Sequence, residues 1–483
     1  MRRRAAVGSV GTTSPLICAS TCTVNPVRGG QWLHARDTCR EHHEIALRLL
    51  PSGSLVPRRQ VSETVARRRT ITGRGATVVG LASVLSALSG YLILVIAART
   101  LGPARNADFL VFWSLLFGMF GIVSGLQQET TRSVRSADVG PPNTQHPVHV
   151  LPVGLLVGVG AAFVVGATSP AWSTHALGPG SWPLVVALCL AVPASAGSSV
   201  VFGALSGNRS WHAYSALVSS EAVVRLSLVA LVAFAGAKGR GLEVASATAA
   251  AVWIVFILVS PPGRRAAHAT GDSSRSQFLK RTGQAMIAAA SSAVLVVGFP
   301  VLLRLTSSDV EWVTAAPVLL AISLTRAPLL IPLTAYQGVA IAHFVGERDR
   351  GVAVLLRPAG TVLGVGALGA AAAYTVGPFI MTAFFGPDYP VGGLLLAGLT
   401  LAAVCLALLT LTGTAVLARG RHNAYATGWF LSSVASVTLL MTDLPLTSRC
   451  VLSLCVGPLL GIGIHLAAIR SDPTPPDNIN SKA

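Results

Sequence analysis

Twelve stretches of this chain are apolar enough and long enough to cross a bilayer as helices. A crossing needs roughly 20 consecutive, mostly apolar residues. Runs of that kind lie at about 76–98, 109–126, 148–168, 182–203, 212–236, 242–260, 283–303, 313–336, 353–377, 391–416, 424–441 and 447–468. Lipid offers no partner for backbone N–H and C=O groups, so only helices and closed barrels can span it. Barrel strands take only about 9–11 residues each, so the fold class is an all-α integral membrane protein with about twelve transmembrane helices. Composition agrees, because 11% of residues are charged against about 25% in soluble domains. The mean hydropathy is +0.65.

The formal net charge of +18 would suggest a nucleic-acid surface in a soluble protein. Here the excess sits in an arginine-rich extension and in short loops, where positive charge sets topology. One alternate set of loops carries 13 Lys/Arg, including Arg264, Arg265, Arg275, Lys280 and Arg281; the other carries 6, including Arg99 and Arg449. The richer set shares a side with the extension, which places both termini in the cytoplasm. No nucleic-acid partner is needed, and anionic membrane lipids are the natural contact of the basic tail.

The expected organisation is a disordered basic extension at 1–70, a first six-helix lobe at 71–260, a cytoplasmic linker at 261–282, a second lobe at 283–470 and a disordered tail at 471–483. A duplication at an offset near 210 residues supports the two lobes. Gln127 matches Gln337, Gly203 matches Gly413, and a basic turn followed by His and Ala-Tyr precedes both Tyr214 and Tyr425. Six helices per repeat give both halves the same orientation, related by an axis along the membrane normal.

Ionisable groups inside spans are costly, roughly 2.5–3.5 kcal/mol each on insertion scales, and so mark functional sites or buried pairs. Glu221 and Arg225 lie in the middle of the fifth span, four residues apart and on one helix face. They are either a self-paired couple facing neighbouring helices or the lining of a polar pathway. Arg326, in L-T-R-A-P-L-L-I-P of the eighth span, has no carboxylate within one turn. Its partner is another helix, a water cavity or an anionic ligand. Pro328 and Pro332 beside it predict a kink or break in that span. Gln127, Gln128, Glu129 and Arg132 end the second span and, with Gln337, form either a solvated terminus or a cavity rim. Trp113, Trp182, Trp211, Trp253 and Tyr91 read as interface anchors or packing residues, and His212 and His422 as interfacial.

Catalytic signatures are missing: the chain has no G-x4-G-K-[ST] phosphate loop and no H-E-x-x-H. Its first external loop, L-G-P-A-R-N-A-D, holds Asp108 as its only acid, where a membrane glycosyltransferase would need an acidic pair. A non-enzymatic protein without cofactor is expected. Cys18, Cys22, Cys39, His42 and His43 lack the paired spacing of a zinc site, so no metal is expected either.

G-Y-L-I-L-V-I-A-A-R-T-L-G-P (90–103) and N-A-D-F-L-V-F-W-S-L-L-F-G (106–118) resemble the start of polysaccharide (Wzx-type) flippases of the multidrug/oligosaccharidyl-lipid/polysaccharide (MOP) exporter superfamily. G-A-L-S-G-N-R-S-W-H-A-Y (203–214) and A-F-F-G-P-D-Y-P-V (383–391) are similar to that family as well. The resemblance covers about residues 70–470. It implies two six-helix lobes around a central cavity, alternating access, and cargo consisting of a glycan precursor on a polyprenyl pyrophosphate in the cytoplasmic membrane. Glycan-assembly enzymes would be its partners. The anionic linker would give Arg326 and Arg225 a reason to face the lumen. Rival readings are a drug/cation antiporter of the same superfamily (MATE-like), which favours a carboxylate-lined lumen, and a non-transporting cell-envelope scaffold, which favours a dry interface.

Overall fold

The computed structural model describes residues 73–139, 146–236, 240–346 and 348–471, apart from the side chains at 73–74, 139, 331, 334–343 and 345–350. The basic extension 1–70 and the tail after Ser471, with the cysteines and histidines of the extension, lie outside the described residues.

The helices in chain order are α1 (Gly73–Leu101), α2 (Pro103–Val139), α3 (Val150–Leu177), α4 (Trp182–Gly207), α5 (Trp211–Phe234) and α6 (Gly241–Val259, through one 3-10 turn). A short α7 (Pro261–Ala267) follows, then α8 (Arg275–Val296), α9 (Phe299–Thr306), α10 (Asp309–Trp312) and α11 (Ala315–Gly346). The chain continues with α12 (Leu356–Thr375), α13 (Gly377–Phe385), α14 (Gly393–Ala418), α15 (His422–Leu440) and α16 (Leu446–Arg470). Among the described residues nine helices are long and apolar enough to cross a membrane alone, and α8 with α9, bent by 61°, makes a tenth. The two other expected spans are present as helices. For α11 the described apolar stretch is Ala315–Leu330, and α15 is diluted by serines and threonines.

The break expected beside Pro328 and Pro332 falls elsewhere. Helix α11 runs through both prolines, whereas the chain breaks between α8 and α9 at Gly298-Phe299-Pro300. Proline in the first turn of α9 has no N–H to lose there, which makes it a ready helix opener.

Helices α4 and α5 begin 211 residues before α14 and α15, near the offset of about 210 read in the sequence. Even the turn repeats: Arg209, the one described non-glycine with positive φ (55°), corresponds to Gly420 (φ 73°). A side chain in this left-handed region costs roughly 1–2 kcal/mol. Gly420→Ala is therefore expected to lower thermal stability by about 1 kcal/mol, and Arg209→Gly to raise it. Melting temperatures of the purified variants measure both shifts.

Packing is close within each half. In the first, α1 lies on α5, and α4 lies between α2 and α3; in the second, α14 touches α11, α12 and α16, and α16 packs on α15. The halves meet along α2 and α8. A Cβ on Gly125 of α2 would stand 2.5 Å from the backbone nitrogen of Met286, so glycine is what permits that approach.

The buried core reveals which end of the molecule is shut. At the end where α1 turns into α2, one continuous core joins both halves, from Ile93 and Phe112 through Leu319 to Tyr389 and Leu399. At the other end it splits in two: Leu126, Val200 and Phe278 belong to a first-half core, and Leu409, Trp429 and Ile469 to a separate second-half core. Side chains also latch the shut end across the halves. Arg99 Nε donates to the Phe384 carbonyl at 2.8 Å, the Tyr389 hydroxyl to the Ala98 carbonyl at 3.1 Å, and Trp312 Nε1 to Asp108 at 3.1 Å. The motifs R-T-L-G-P (99–103) and F-F-G-P-D-Y-P (384–390), far apart in sequence, are partners here.

Candidate functional site: an inter-helix cavity with a guanidinium

Against the shut end, α1, α2, α5 and α11 leave a cavity of about 240 Å³. Small residues on α1 (Ser86, Ala87, Ser89 and Gly90) make the room, and Ile93 and Leu94 belong both to the cavity lining and to the joined core. Helix α2 supplies an aromatic wall, because Phe109, Trp113, Phe117 and Phe120 recur at helical spacing. Their ring centroids are 5.8, 4.5 and 5.5 Å apart in succession. From the second half comes Ser323 of α11, whose carbonyl accepts from the Tyr91 hydroxyl at 3.0 Å. Tyr91 and Trp113, read from sequence as anchors or packing residues, thus line a cavity.

Arg225 is the charged group in that lining. Its Nη2 bonds Glu221 Oε1, its Nε donates to the Ser246 carbonyl at 3.3 Å, and its guanidinium lies 5.1 Å from the centroid of the Phe117 ring. The Ser198 hydroxyl donates to the other Glu221 oxygen at 3.4 Å. The side chains of Arg225 and Glu221 are 7% and 18% exposed. The two residues are bonded to each other, and Arg225 lines the cavity. An ion pair so placed adds little net stability, since desolvation offsets most of its attraction.

Arg326 is 8% exposed and is not among the residues lining that cavity. Its Nη1 donates to the carbonyls of Leu295 and Val296, at 3.2 and 3.3 Å, and the guanidinium lies 5.3 Å from the Phe299 ring centroid. Those carbonyls end α8 at its break, where a helix leaves acceptors unpaired and a cation is favoured. Of the partners open in the sequence, the structure shows another helix, through its backbone carbonyls. Its signal was legible in Gly298-Phe299-Pro300.

At the split end Arg132 bridges two carboxylates. It bonds Glu129 at 2.7 and 2.8 Å and Asp272, through two nitrogens, at 3.0 Å. Ser133 adds a 2.9 Å bond to Asp272. Residues 148 and 150 pair with 269–273 in the same place, so this cluster fastens the segment before α8 to α2 and α3. Asp272 went unnoticed in the sequence because its partner lies 140 residues away. Gln127 is half-buried; Gln128 is exposed and follows Phe117 by eleven residues, which puts both on one face of α2. The side chain of Gln337 lies outside the described residues.

Burial pushes the Asp272 carboxyl up, but bonds from Arg132 and Ser133 and the charges of Arg132 and Arg281 outweigh it, holding it below the usual carboxylate range. A depressed value stabilises the fold above the unfolded pKa, and that stabilisation is lost as pH falls through the folded one. Asp272→Asn is expected to cost about 1 kcal/mol near neutral pH, less than the roughly 1.5–3 kcal/mol of a bond to a charged group, since Arg132 is 39% exposed. Unfolding curves measured down the acid limb should show the difference from wild type vanishing once the pH is well below the usual carboxylate range.

No family model matches the chain. The uncharacterized protein Rv3630 of Mycobacterium tuberculosis is 41% identical over 398 residues, which are 82% of this chain and 92% of that protein. A second protein of that organism, the uncharacterized Rv1510, is 40% identical over 413 residues, 86% of this chain and 95% of the relative. The chain belongs to their family. Solved structures share the fold of this chain. A MOP superfamily transporter from Pyrococcus furiosus superimposes with a TM-score of 0.61 at 14% identity, over 83% of this chain and 97% of that one. An inward-facing multidrug resistance MATE family transporter of the same superfamily gives 0.62 at 16% identity, over 82% and 99%. The chain has the all-helical fold of these transporters.

Proposed function

We propose that the chain is a membrane transporter working by alternating access, whose cargo is a lipid-linked glycan precursor with an anionic phosphate linkage. The observation that carries this reading is Arg225: a guanidinium lines a cavity set against the shut end of a molecule whose other end is split. Guanidinium groups suit phosphate because their fork of donors matches its oxygens. Trp113 offers a flat apolar face on which a sugar ring can stack, while the serines of α1 offer hydroxyls to its hydroxyls. By the loop charges the split end faces the cytoplasm, the leaflet where such a precursor would load. Arg225 faces the cargo with Glu221 bonded behind it, Gln128 and Gln127 line the approach, and Glu129 and Arg132 hold the rim. Arg326 sets the bend between α8 and α9.

A second reading has a specific observation in its favour. An aromatic wall also binds cations, and the MATE neighbour is described as a multidrug resistance transporter. The Pyrococcus furiosus transporter is described as having a binding pocket of reverse polarity that suggests a different function, so pocket charge is the right discriminator. Here the charged lining group is an arginine. Reconstitution in proteoliposomes decides between the readings. Translocation of a labelled polyprenyl-diphosphate glycan with no uptake of cationic dyes is the expected result, and dye transport without glycan translocation would replace the first reading by the second.

A further inference from the structure

We propose that the linkage of the preferred cargo carries a single negative charge: the cavity favours a phosphodiester, joining a lipid chain to a sugar or polyol, over a diphosphate. This rests on the reading that Arg225 receives the anion.

The charges around the cavity can be counted. Arg225 is the charged residue of the lining, and Glu221 is bonded to its Nη2. One guanidinium can hold two anions at once, as Arg132 holds Glu129 and Asp272. Even there Asp272 draws on a second cation, Arg281, and on a bond from Ser133. Glu221 therefore keeps its place when an anion arrives, and the site starts from a net charge of zero. A phosphodiester leaves it with one negative charge. A diphosphate linking lipid to sugar leaves it with two, and its phosphorus atoms share an oxygen, so both charges enter the same space.

Among the described residues no second cation lines the cavity. Arg326 donates to the carbonyls of Leu295 and Val296 and lies outside the lining. The faces of the Trp113 and Phe117 rings carry partial negative charge, which gives a further anion nothing to bind. A charge left unbalanced at that depth is costly.

The hydrogen-bond donors agree. Tyr91 donates to the Ser323 carbonyl at 3.0 Å, Ser89 to the Ala222 carbonyl at 2.8 Å and the Ser323 hydroxyl to the Leu319 carbonyl at 3.0 Å. Arg225 commits Nε to the Ser246 carbonyl and Nη2 to Glu221. In the lining, Arg225 Nη1, Trp113 Nε1 and the Ser86 hydroxyl have no bond among the described residues. Three donor groups suit the two unesterified oxygens of a phosphodiester, whereas a diphosphate presents four.

The test uses the full chain in detergent at neutral pH and two probes with the same chain and sugar, geranylgeranyl phosphoglucose and geranylgeranyl diphosphoglucose. Wild type should favour the phosphoglucose by roughly tenfold or more, the least that one unbalanced buried charge costs. Glu221→Gln makes the site more positive by one charge and should erase or invert that preference. Trp113→Phe keeps an aromatic ring, removes one donor and should weaken phosphoglucose binding several-fold. Phosphatidylglycerol as competitor separates the two sources of such a linkage: competition assigns the site to diacyl phosphodiesters, and its absence to isoprenoid ones. Equal affinities in wild type, a tighter diphosphate, or a preference unchanged in Glu221→Gln would overturn the single-charge assignment and leave Arg225 as the anion site. Undiminished binding by Arg225→Gln, or no binding of either probe by wild type, would overturn the cargo reading itself.

Discussion

Arg225→Ala should lower the rate of glycan-lipid translocation by roughly 10- to 100-fold. That range follows from the roughly 1.5–3 kcal/mol contributed by a hydrogen bond to a charged group, lost where the cavity receives its anion. The single variant also strands Glu221, so the cleaner comparison is with Arg225→Ala combined with Glu221→Gln, which removes both charges and restores an uncharged core. Arg225→Lys, a point charge without the planar fork, should fall between wild type and alanine. Flux in proteoliposomes, corrected for the amount of folded protein, is the measurement. A double variant that folds and translocates at the wild-type rate would exclude Arg225 as the cargo contact.

Joining the shut end covalently should stop transport altogether. Asp108→Cys with Trp312→Cys places thiols on opposite halves where Trp312 Nε1 now meets Asp108 at 3.1 Å. A bifunctional thiol reagent spanning them would hold together the continuous core that joins the halves. Alternating access requires that core to open once per cycle, so flux should drop to background and return when a reductant cleaves the linker. The uncross-linked double variant should transport. Undiminished flux through the linked protein would mean that the halves never part at that end.

The fold was legible in the sequence because lipid leaves the backbone so few choices. Long apolar runs become helices whatever their side chains, and all twelve expected runs are helices in the structure. What the linear pattern could not show was which polar groups meet. Glu221 and Arg225 were found as a pair because one helix carries both. Asp272 bonds Arg132 across 140 residues, and Arg326 takes carbonyls as partners, which leave no mark in residue type. Helix α11 continues through Pro328 and Pro332, while a less conspicuous Gly-Phe-Pro breaks the preceding span.

Helix α8 belongs to neither half alone. Phe278 near its start is buried in the first-half core, whereas Leu295 near its end is buried in the second-half core. A chain that rocks its halves must carry the whole displacement along this one rod, from the anchorage at Asp272 to the elbow held by Arg326. One rod thus touches both cores and ends at the bend where Arg326 bonds the carbonyls of Leu295 and Val296.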